Sequence, residues 1–221
     1  MTTRKTKKAV DDATLKAAIV EAALAHVPFD GFSDKTLARA GEDAGADKET
    51  LARLFPDGPL DLVAAYSEGC DSEMEARLSK IVLSALPIRE RIKTAVLTRL
   101  EVLRPHKEAA RRAAAFLSLP MHGALAAKLI YRSVDAMWRA VGDKSTDFNF
   151  YTKRAILAGV YSATLMRWFS DTSEDESVTK EFLAARIENV MQFEKFKAKL
   201  REGVKGLPSF GDVVQRFGGA K

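Results

Sequence analysis

The sequence predicts an all-α protein: a bundle of helices that opens with a helix-turn-helix and closes with a short C-terminal amphipathic helix. Three observations carry this. Apolar residues recur at three- and four-residue steps through most of the 221 residues, no long stretch alternates apolar with polar side chains, and no Asn-Gly hairpin signal is present. The breaks between periodic stretches are prolines and glycines placed where helices stop.

Taken in order, 14–26 sets Leu15, Ile19, Ala22, Ala23 and Leu24 mostly on one stripe, with Asp11, Asp12 and Thr14 as start signals and Pro28 as the stop. Ser33 or Asp34 can cap a short helix to about Ala44, Gly45 allows a tight turn, and Asp47 can cap a second short helix to Phe55. Pro56, Gly58 and Pro59 then break the chain. A longer helix is expected over 60–85, another over 88–103 before Pro105, and a further stretch from His106 to the break at 118–123. Helices follow over 125–141, ending at Gly142, and over 148–169. The second part of the latter, 155–169, is apolar almost all round and predicts a central helix surrounded by others. A polar acidic loop over 171–177, an amphipathic helix over 179–200 and a break over 203–208 complete the pattern. The implied organisation is a disordered basic tail (1–12), a helix-turn-helix module (13–66), a helical bundle (67–202) and a tail (203–221).

One cysteine, Cys70, excludes an intrachain disulfide. The longest apolar run, Ala155 to Phe169, contains Arg167 and falls short of the roughly 18 residues of a spanning helix, so a soluble protein is expected. Arg4, Lys5, Lys7 and Lys8 are not followed by an apolar stretch of secretory type. The net charge is +5, but its distribution matters more than its total. The 28–65 segment holds eight acids against four bases, while Lys195, Lys197, Lys199, Arg201, Lys205, Arg216 and Lys221 concentrate positive charge near the C-terminus.

The run Leu37-Ala-Arg-Ala-Gly-Glu-Asp-Ala-Gly-Ala-Asp-Lys-Glu-Thr-Leu-Ala-Arg-Leu-Phe55, after an amphipathic helix, resembles the head of TetR-type regulators. Its chemistry is wrong for DNA. Affinity for a duplex comes largely from Lys and Arg on phosphates, yet this segment is net negative, with Asp47, Glu49, Asp57 and Asp61 on or beside the second helix. TetR-type heads commonly carry a tyrosine near the end of that helix and a lysine after the aromatic matching Phe55; Ala52 and Gly58-Pro59 stand in that region here. The expectation is a packing module that binds no nucleic acid.

Catalytic and metal-binding patterns are missing as well. His26, His106 and His122 have no partner at metal-ligand spacing, and paired Glu-x-x-His, His-Glu-x-x-His, Cys-x-x-Cys, a Gly-rich phosphate loop and Gly-x-Ser-x-Gly are all absent. No catalytic residue, metal or cofactor is assigned.

Residues 119–155, and above all Gly142-Asp-Lys-Ser-Thr-Asp-Phe-Asn-Phe-Tyr-Thr-Lys-Arg154, resemble the accessory, lipid-binding family of ubiquinone biosynthesis. The likeness covers roughly 113–197. Phe150 stands where that family suggests a tryptophan, which keeps apolar contact but removes an indole N–H donor. The resemblance implies a TetR-like fold without DNA binding, a cavity for an isoprenoid quinone or another lipid, a homodimer, and docking to the di-iron demethoxyubiquinone hydroxylase. It also implies a place peripheral to the inner membrane: cytoplasmic in a bacterium, on the matrix side in a mitochondrion. A ligand-responsive TetR-type regulator is the alternative, and an enzyme of quinone modification a third.

Asp147, Phe150, Tyr151 and Arg154 mix aromatics with charge at a helix start and are the candidate partner-binding residues. Arg154 has a second reading, as a brace for Asp147 or Asp143. Met137, Trp138, Tyr161, Leu165, Trp168 and Phe169 are the candidate lipid-binding residues, drawn from an apolar set that also includes Ile156, Leu157 and Met166. In the tail, Leu207, Phe210, Val213, Val214 and Phe217 recur at helical steps near basic residues and read as a membrane-contacting face.

Overall fold

The computed structural model describes residues 3–145 and 148–205, and the side chains of 12–145 and 150–192. The described residues are helical with short turns and contain no strand. The helices are α1 (Thr3–Asp30), α2 (Asp34–Asp43), α3 (Lys48–Leu54), α4 (Pro59–Leu78), α5 (Ile88–Leu103), α6 (Lys107–Leu117), α7 (Gly123–Ala140), α8 (Phe148–Phe169) and α9 (Ser177–Lys205). The tail residues Leu207, Phe210, Val213, Val214 and Phe217 lie outside the described residues, and so does Asp147.

The helix-turn-helix forms as its capping residues direct. The Ser33 hydroxyl accepts the Thr36 N–H at 3.2 Å to start α2, and the Asp47 carboxylate accepts the Thr50 N–H at 2.8 Å to start α3. Gly45 sits between them at φ +71°, a left-handed conformation costly for any residue with a Cβ. His26 on α1 meets Asp43 on α2 at 2.7 Å.

Several boundaries differ from the sequence expectation. α1 begins inside the segment expected as a disordered tail and runs through Pro28 to Asp30. A proline this near a helix end removes only one N–H donor, and the stop comes instead from Gly31 at φ +66°, whose N–H bonds to the Val27 carbonyl at 2.9 Å. The 60–85 helix stops at Leu78, and a 3-10 turn over Leu83–Ala85 drops Leu83 into the core. At the other end, α9 continues through Gly203 to Lys205. α4 also runs unbroken across the expected boundary at 66–67.

The core has two parts. One joins the head (Ile19, Val27, Leu37, Phe55, Leu62) to Leu100, Ala109, Ala113 and the end of α8, where Trp168 and Phe169 are buried. The other joins Met74, Leu78, Ile92, Val96, Val134, Met137, Leu157, Tyr161 and Leu183. α8 links the two, but it is not covered all round: Ala155, Gly159, Ala163 and Met166 form an exposed stripe, with Met166 62% exposed. Small side chains made this face look like interior, because apolar composition does not distinguish a covered face from a bare one.

The turn from α8 to α9 is pinned by polar contacts. Asp171 accepts from Thr179 N–H (2.8 Å) and from the Ser173 hydroxyl (2.6 Å), and these hydrogen bonds hold its carboxyl well below the ordinary range. Glu176 takes a left-handed φ of +57° and accepts from Trp168 Nε1 at 2.7 Å and from Arg104 at 2.8 Å.

Candidate functional site

The most polar corner of the second core lies where α7 turns into α8. Gly142 at φ +85° ends α7 in a Schellman arrangement, with its N–H on the Arg139 carbonyl (2.9 Å) and the Asp143 N–H on the Trp138 carbonyl (3.0 Å). This turn carries Asp143 under the start of α8, where its carboxylate meets Lys153 at 2.9 Å and Arg154 at 3.3 Å. Burial alone would raise the Asp143 carboxyl, but hydrogen bonds from Lys153 and Ser145 outweigh it and hold the group below its ordinary range.

Arg154 is the centre of this corner. Its Nε donates to Asp135 at 2.7 Å and its Nη1 to the Phe150 carbonyl at 3.1 Å. Its guanidinium carbon lies 3.4 Å from the Phe150 ring centroid. At 3% exposure it serves as a brace, the second of its two sequence readings. Asp143 is one of the two carboxylates the sequence suggested for this pairing; Asp135, seven residues before Gly142, was missed. Phe150 is half-buried and meets Tyr151 edge-on, with ring centroids 5.1 Å apart at 79°. Tyr151 is 65% exposed.

Beside this corner is a cavity of about 530 Å³ between α5, α7, α8 and α9. Trp138, Ile92, Ile156, Val160, Ile187 and Met191 supply apolar wall, while Arg89, Lys144 and Lys153 stand on its lining as cations. The Trp138 indole N–H donates to the Lys153 carbonyl at 3.2 Å, which fixes the ring as wall.

A second cavity of about 270 Å³ lies between α4, α5, α6, α7 and α8. Tyr161 and Leu165 line it together with Ala110, Ala113 and Ala114. The candidate lipid-binding residues therefore divide. Trp138 faces the larger cavity and Tyr161 and Leu165 the smaller, whereas Met137, Trp168 and Phe169 line neither and are core. Periodicity marks all six as inward-facing, and only packing decides which of them meets a void.

Sequence reading also missed a polar group beneath the smaller cavity. Arg99 (3% exposed) donates from Nε to Asp71 at 2.8 Å, and the Ser133 hydroxyl meets the same carboxylate at 2.8 and 3.0 Å. Burial pushes the Asp71 carboxyl up, against the pull of Arg99 and Ser133. The available signal was a charge on the apolar stripe of each of two adjoining helices: Arg99 between Val96 and Leu103, and Asp71 between Tyr66 and Met74.

The histidines serve other roles. His26 bridges to Asp43, and His122 has Nδ1 2.8 Å from the Phe116 carbonyl and stacks on the Phe116 ring at 4.2 Å. Among the described residues, no three His, Cys, Asp or Glu side chains gather as a metal site, and no single helix is long and apolar enough to cross a membrane.

In the helix-turn-helix, three of the bases are paired with acids. Arg53 on α3 donates to Asp12 at 2.5 and 3.0 Å, and Lys35 and Arg39 both meet Asp30 at 2.8 Å. Phosphates would have to displace these carboxylates and approach Asp47 and Glu49 as well. Mobility shift with duplex fragments at low salt should therefore give no sequence-selective band; a retained, selective band would overturn this reading of the head.

Comparison with known proteins places these features. A solved TetR transcriptional regulator from Nitrosomonas europaea superposes with a TM-score of 0.63 at 18% identity, over 79% of this chain and 97% of that one, which establishes the TetR-like fold. A family model described as COQ9 matches residues 123–194, the stretch that holds α7, the Gly142 turn and α8. The ubiquinone biosynthesis protein COQ9-B, mitochondrial, of Xenopus laevis is 32% identical over 207 residues, covering 90% of this chain and 68% of that protein. The bovine COQ9 is 35% identical over 188 residues, and the match spans 80% of this chain and 57% of the bovine protein's length. The chain belongs to the COQ9 family.

Proposed function

We propose that the protein is a lipid-binding accessory protein of ubiquinone biosynthesis that holds an isoprenoid quinone intermediate and presents it to the demethoxyubiquinone hydroxylase, without being a catalyst itself. The observation that carries this is a juxtaposition. The exposed Tyr151 adjoins Thr152 and Lys153, which line the larger cavity, so an apolar chamber and a projecting aromatic share one corner. An interface aromatic held rigid by its neighbours is the type of residue that dominates binding energy, and a void of this size with apolar walls suits a lipid. Family membership supports the pathway, since the relatives are named for ubiquinone biosynthesis. They are also named mitochondrial, which supports a mitochondrial place; in this reading the protein lies on the matrix side of the inner membrane in a eukaryote and is cytoplasmic and peripheral to the inner membrane in a bacterium. The bare α8 stripe of Ala155, Gly159 and Ala163 supports a homodimer, because small residues let a second helix approach closely. Peripheral membrane contact falls to the apolar tail face from Leu207 to Phe217.

Mass spectrometry of lipids extracted from the purified protein is the direct test. An isoprenoid quinone or a precursor is expected, and Ile156→Trp, which fills the larger cavity, should reduce the amount recovered severalfold. A folded wild-type protein that yields no lipid overturns the carrier reading.

Docking is checked separately by co-purification with the hydroxylase. Tyr151→Ala removes an exposed ring that its own fold does not need, so the melting temperature should hold while affinity falls by about 1–2 kcal/mol, roughly 5- to 30-fold. Undiminished co-purification would place the partner surface elsewhere.

A further inference from the structure

The turn that joins α4 to α5 presents its large apolar side chains to the outside. Ile81, Val82 and Ile88 are 43%, 74% and 45% exposed, and Ala85 and Pro87 between them are exposed as well. The fold holds the turn in this arrangement. Leu83 drops into the core, while Arg91 donates to the Leu86 carbonyl at 2.7 Å, the Ser84 carbonyl at 2.9 Å and the Val141 carbonyl at 3.3 Å. One guanidinium thus ties the turn to the end of α7. Apolar residues scattered singly over a surface need no explanation, but three large ones on a clamped turn mark a contact.

Charge identifies what covers them. Residues 77–93 carry Arg77, Lys80, Arg89, Arg91 and Lys93 against Glu90 alone. Lys80 and Arg89 are exposed on the two flanks of the apolar cluster, and the exposed Lys144 lines the larger cavity beside Ile88 and Arg89. The neighbouring acids have cations of their own: Glu73 meets Arg77 at 2.8 Å, Glu75 meets Arg139 at 3.5 Å, and Glu90 lies 3.8 Å from Arg89 and 3.9 Å from Lys93. A second copy of this surface would set like charge against like. The C-terminal tail is basic too, with Lys205, Arg216 and Lys221 against Asp212, and is repelled in the same way. An anionic bilayer complements both parts, with acyl chains for Ile81, Val82 and Ile88 and phosphates for Lys80 and Arg89.

The helices place this turn at one end of the bundle. Glu176, at the start of α9, holds Arg104, at the end of α5, at 2.8 Å, whereas Ile187 and Met191 line the larger cavity with Ile88 and Ile92 from the start of α5. The two helices therefore run antiparallel, and α9 continues beyond Met191 to Lys205 on the side of the α4–α5 turn.

We propose that the α4–α5 turn is a membrane-docking edge, separate from the C-terminal tail, in which Ile81, Val82 and Ile88 enter the headgroup boundary of an anionic bilayer and Lys80 and Arg89 meet its phosphates. Ile88 and Arg89 also line the larger cavity, so docking here sets the rim of that cavity against the lipid phase. A hydrophobic passenger then moves between bilayer and cavity without crossing water. The membrane contact stands on the residues of the turn, and only the passage of a lipid rests on the carrier reading.

The test is flotation of the full chain with vesicles of phosphatidylcholine and phosphatidylglycerol, against phosphatidylcholine alone. The wild type should bind the anionic vesicles. Ile81→Asp combined with Val82→Asp should weaken that binding about tenfold or more, and Lys80→Ala and Arg89→Ala about fivefold each, the worth of one cation near an anionic surface. All four side chains are exposed, so the melting temperatures should stay at the wild-type value. A polarity-sensitive dye locates the contact. Attached at Val82→Cys it should brighten and shift to the blue with anionic vesicles, whereas at Glu49→Cys, in the head at the other end of α4, it should not; the native Cys70 is buried away from the label. Phe210→Asp with Phe217→Asp probes the tail contact separately. No binding by the wild type, wild-type flotation of the turn variants, a dye at Val82→Cys that stays in water, or loss of binding with the tail pair alone would each overturn the docking edge. Lipid extraction keeps the two readings apart: a wild type that docks through this turn yet yields no lipid sinks the carrier reading alone.

Discussion

Replacing Trp168 with alanine should lower stability by about 3–5 kcal/mol, the range for truncating a large aromatic in a packed core. The side chain is fully buried, touches Phe169 with ring centroids 5.5 Å apart, and lies under the Lys107 ammonium at 4.8 Å. Its indole N–H is also a partner of Glu176, the residue in left-handed backbone that holds the α8–α9 turn to Arg104. Truncation thus opens a void and loosens the turn together. For a chain of this length the melting temperature should fall by roughly 6–20 °C. Trp168→Phe keeps most of the packing and should lose clearly less. Because Trp168 lines neither cavity, folded Trp168→Phe should retain as much lipid as the wild type. A large loss of bound lipid without a loss of stability would return Trp168 to the lipid-contacting set.

Arg154→Ala should be comparably damaging for a different reason. It leaves the half-buried Asp143 with Lys153 and Ser145, and Asp135 with the exposed Arg139 at 3.4 Å. Removing one partner of a buried ion pair costs about 3–5 kcal/mol because the stranded charge stays desolvated. The same change removes the support of the Phe150 ring and carbonyl, on which Tyr151 rests. Thermal unfolding reads the first effect, and co-purification with the hydroxylase at a temperature where the variant is folded reads the second. Arg154→Lys keeps the charge but not the planar fork, so it should restore part of the stability and little of the docking. Wild-type stability in Arg154→Ala would mean that the Asp135–Arg154–Asp143 group does not hold this corner.

The helix pattern, the capping by Ser33 and Asp47, the Gly45 turn and the stop at Gly142 were legible in the sequence. Each depends on residues within about four positions of one another: a carboxylate or hydroxyl reaching an N–H three residues on, or a glycine free to take positive φ. The α8 limits, Phe148 and Phe169, follow from the same local periodicity. The net negative charge of the head could also be read directly, because charge composition is a property of the segment and not of its packing.

Tertiary structure alone decided what those helices do with their inward faces. Met137, Trp138, Tyr161, Leu165, Trp168 and Phe169 have one sequence signature, yet three became core and three became cavity wall, since a void is the space left between helices far apart in the chain. Arg154 could be a surface contact or a brace until α7 brought Asp135 to 2.7 Å from it. Arg99 and Asp71, 28 residues apart, form a pair only because α4 and α5 lie side by side. Local spacing specifies where helices begin, end and turn; which side chains meet, and which are left facing empty space, is set by long-range packing that no short window of sequence contains.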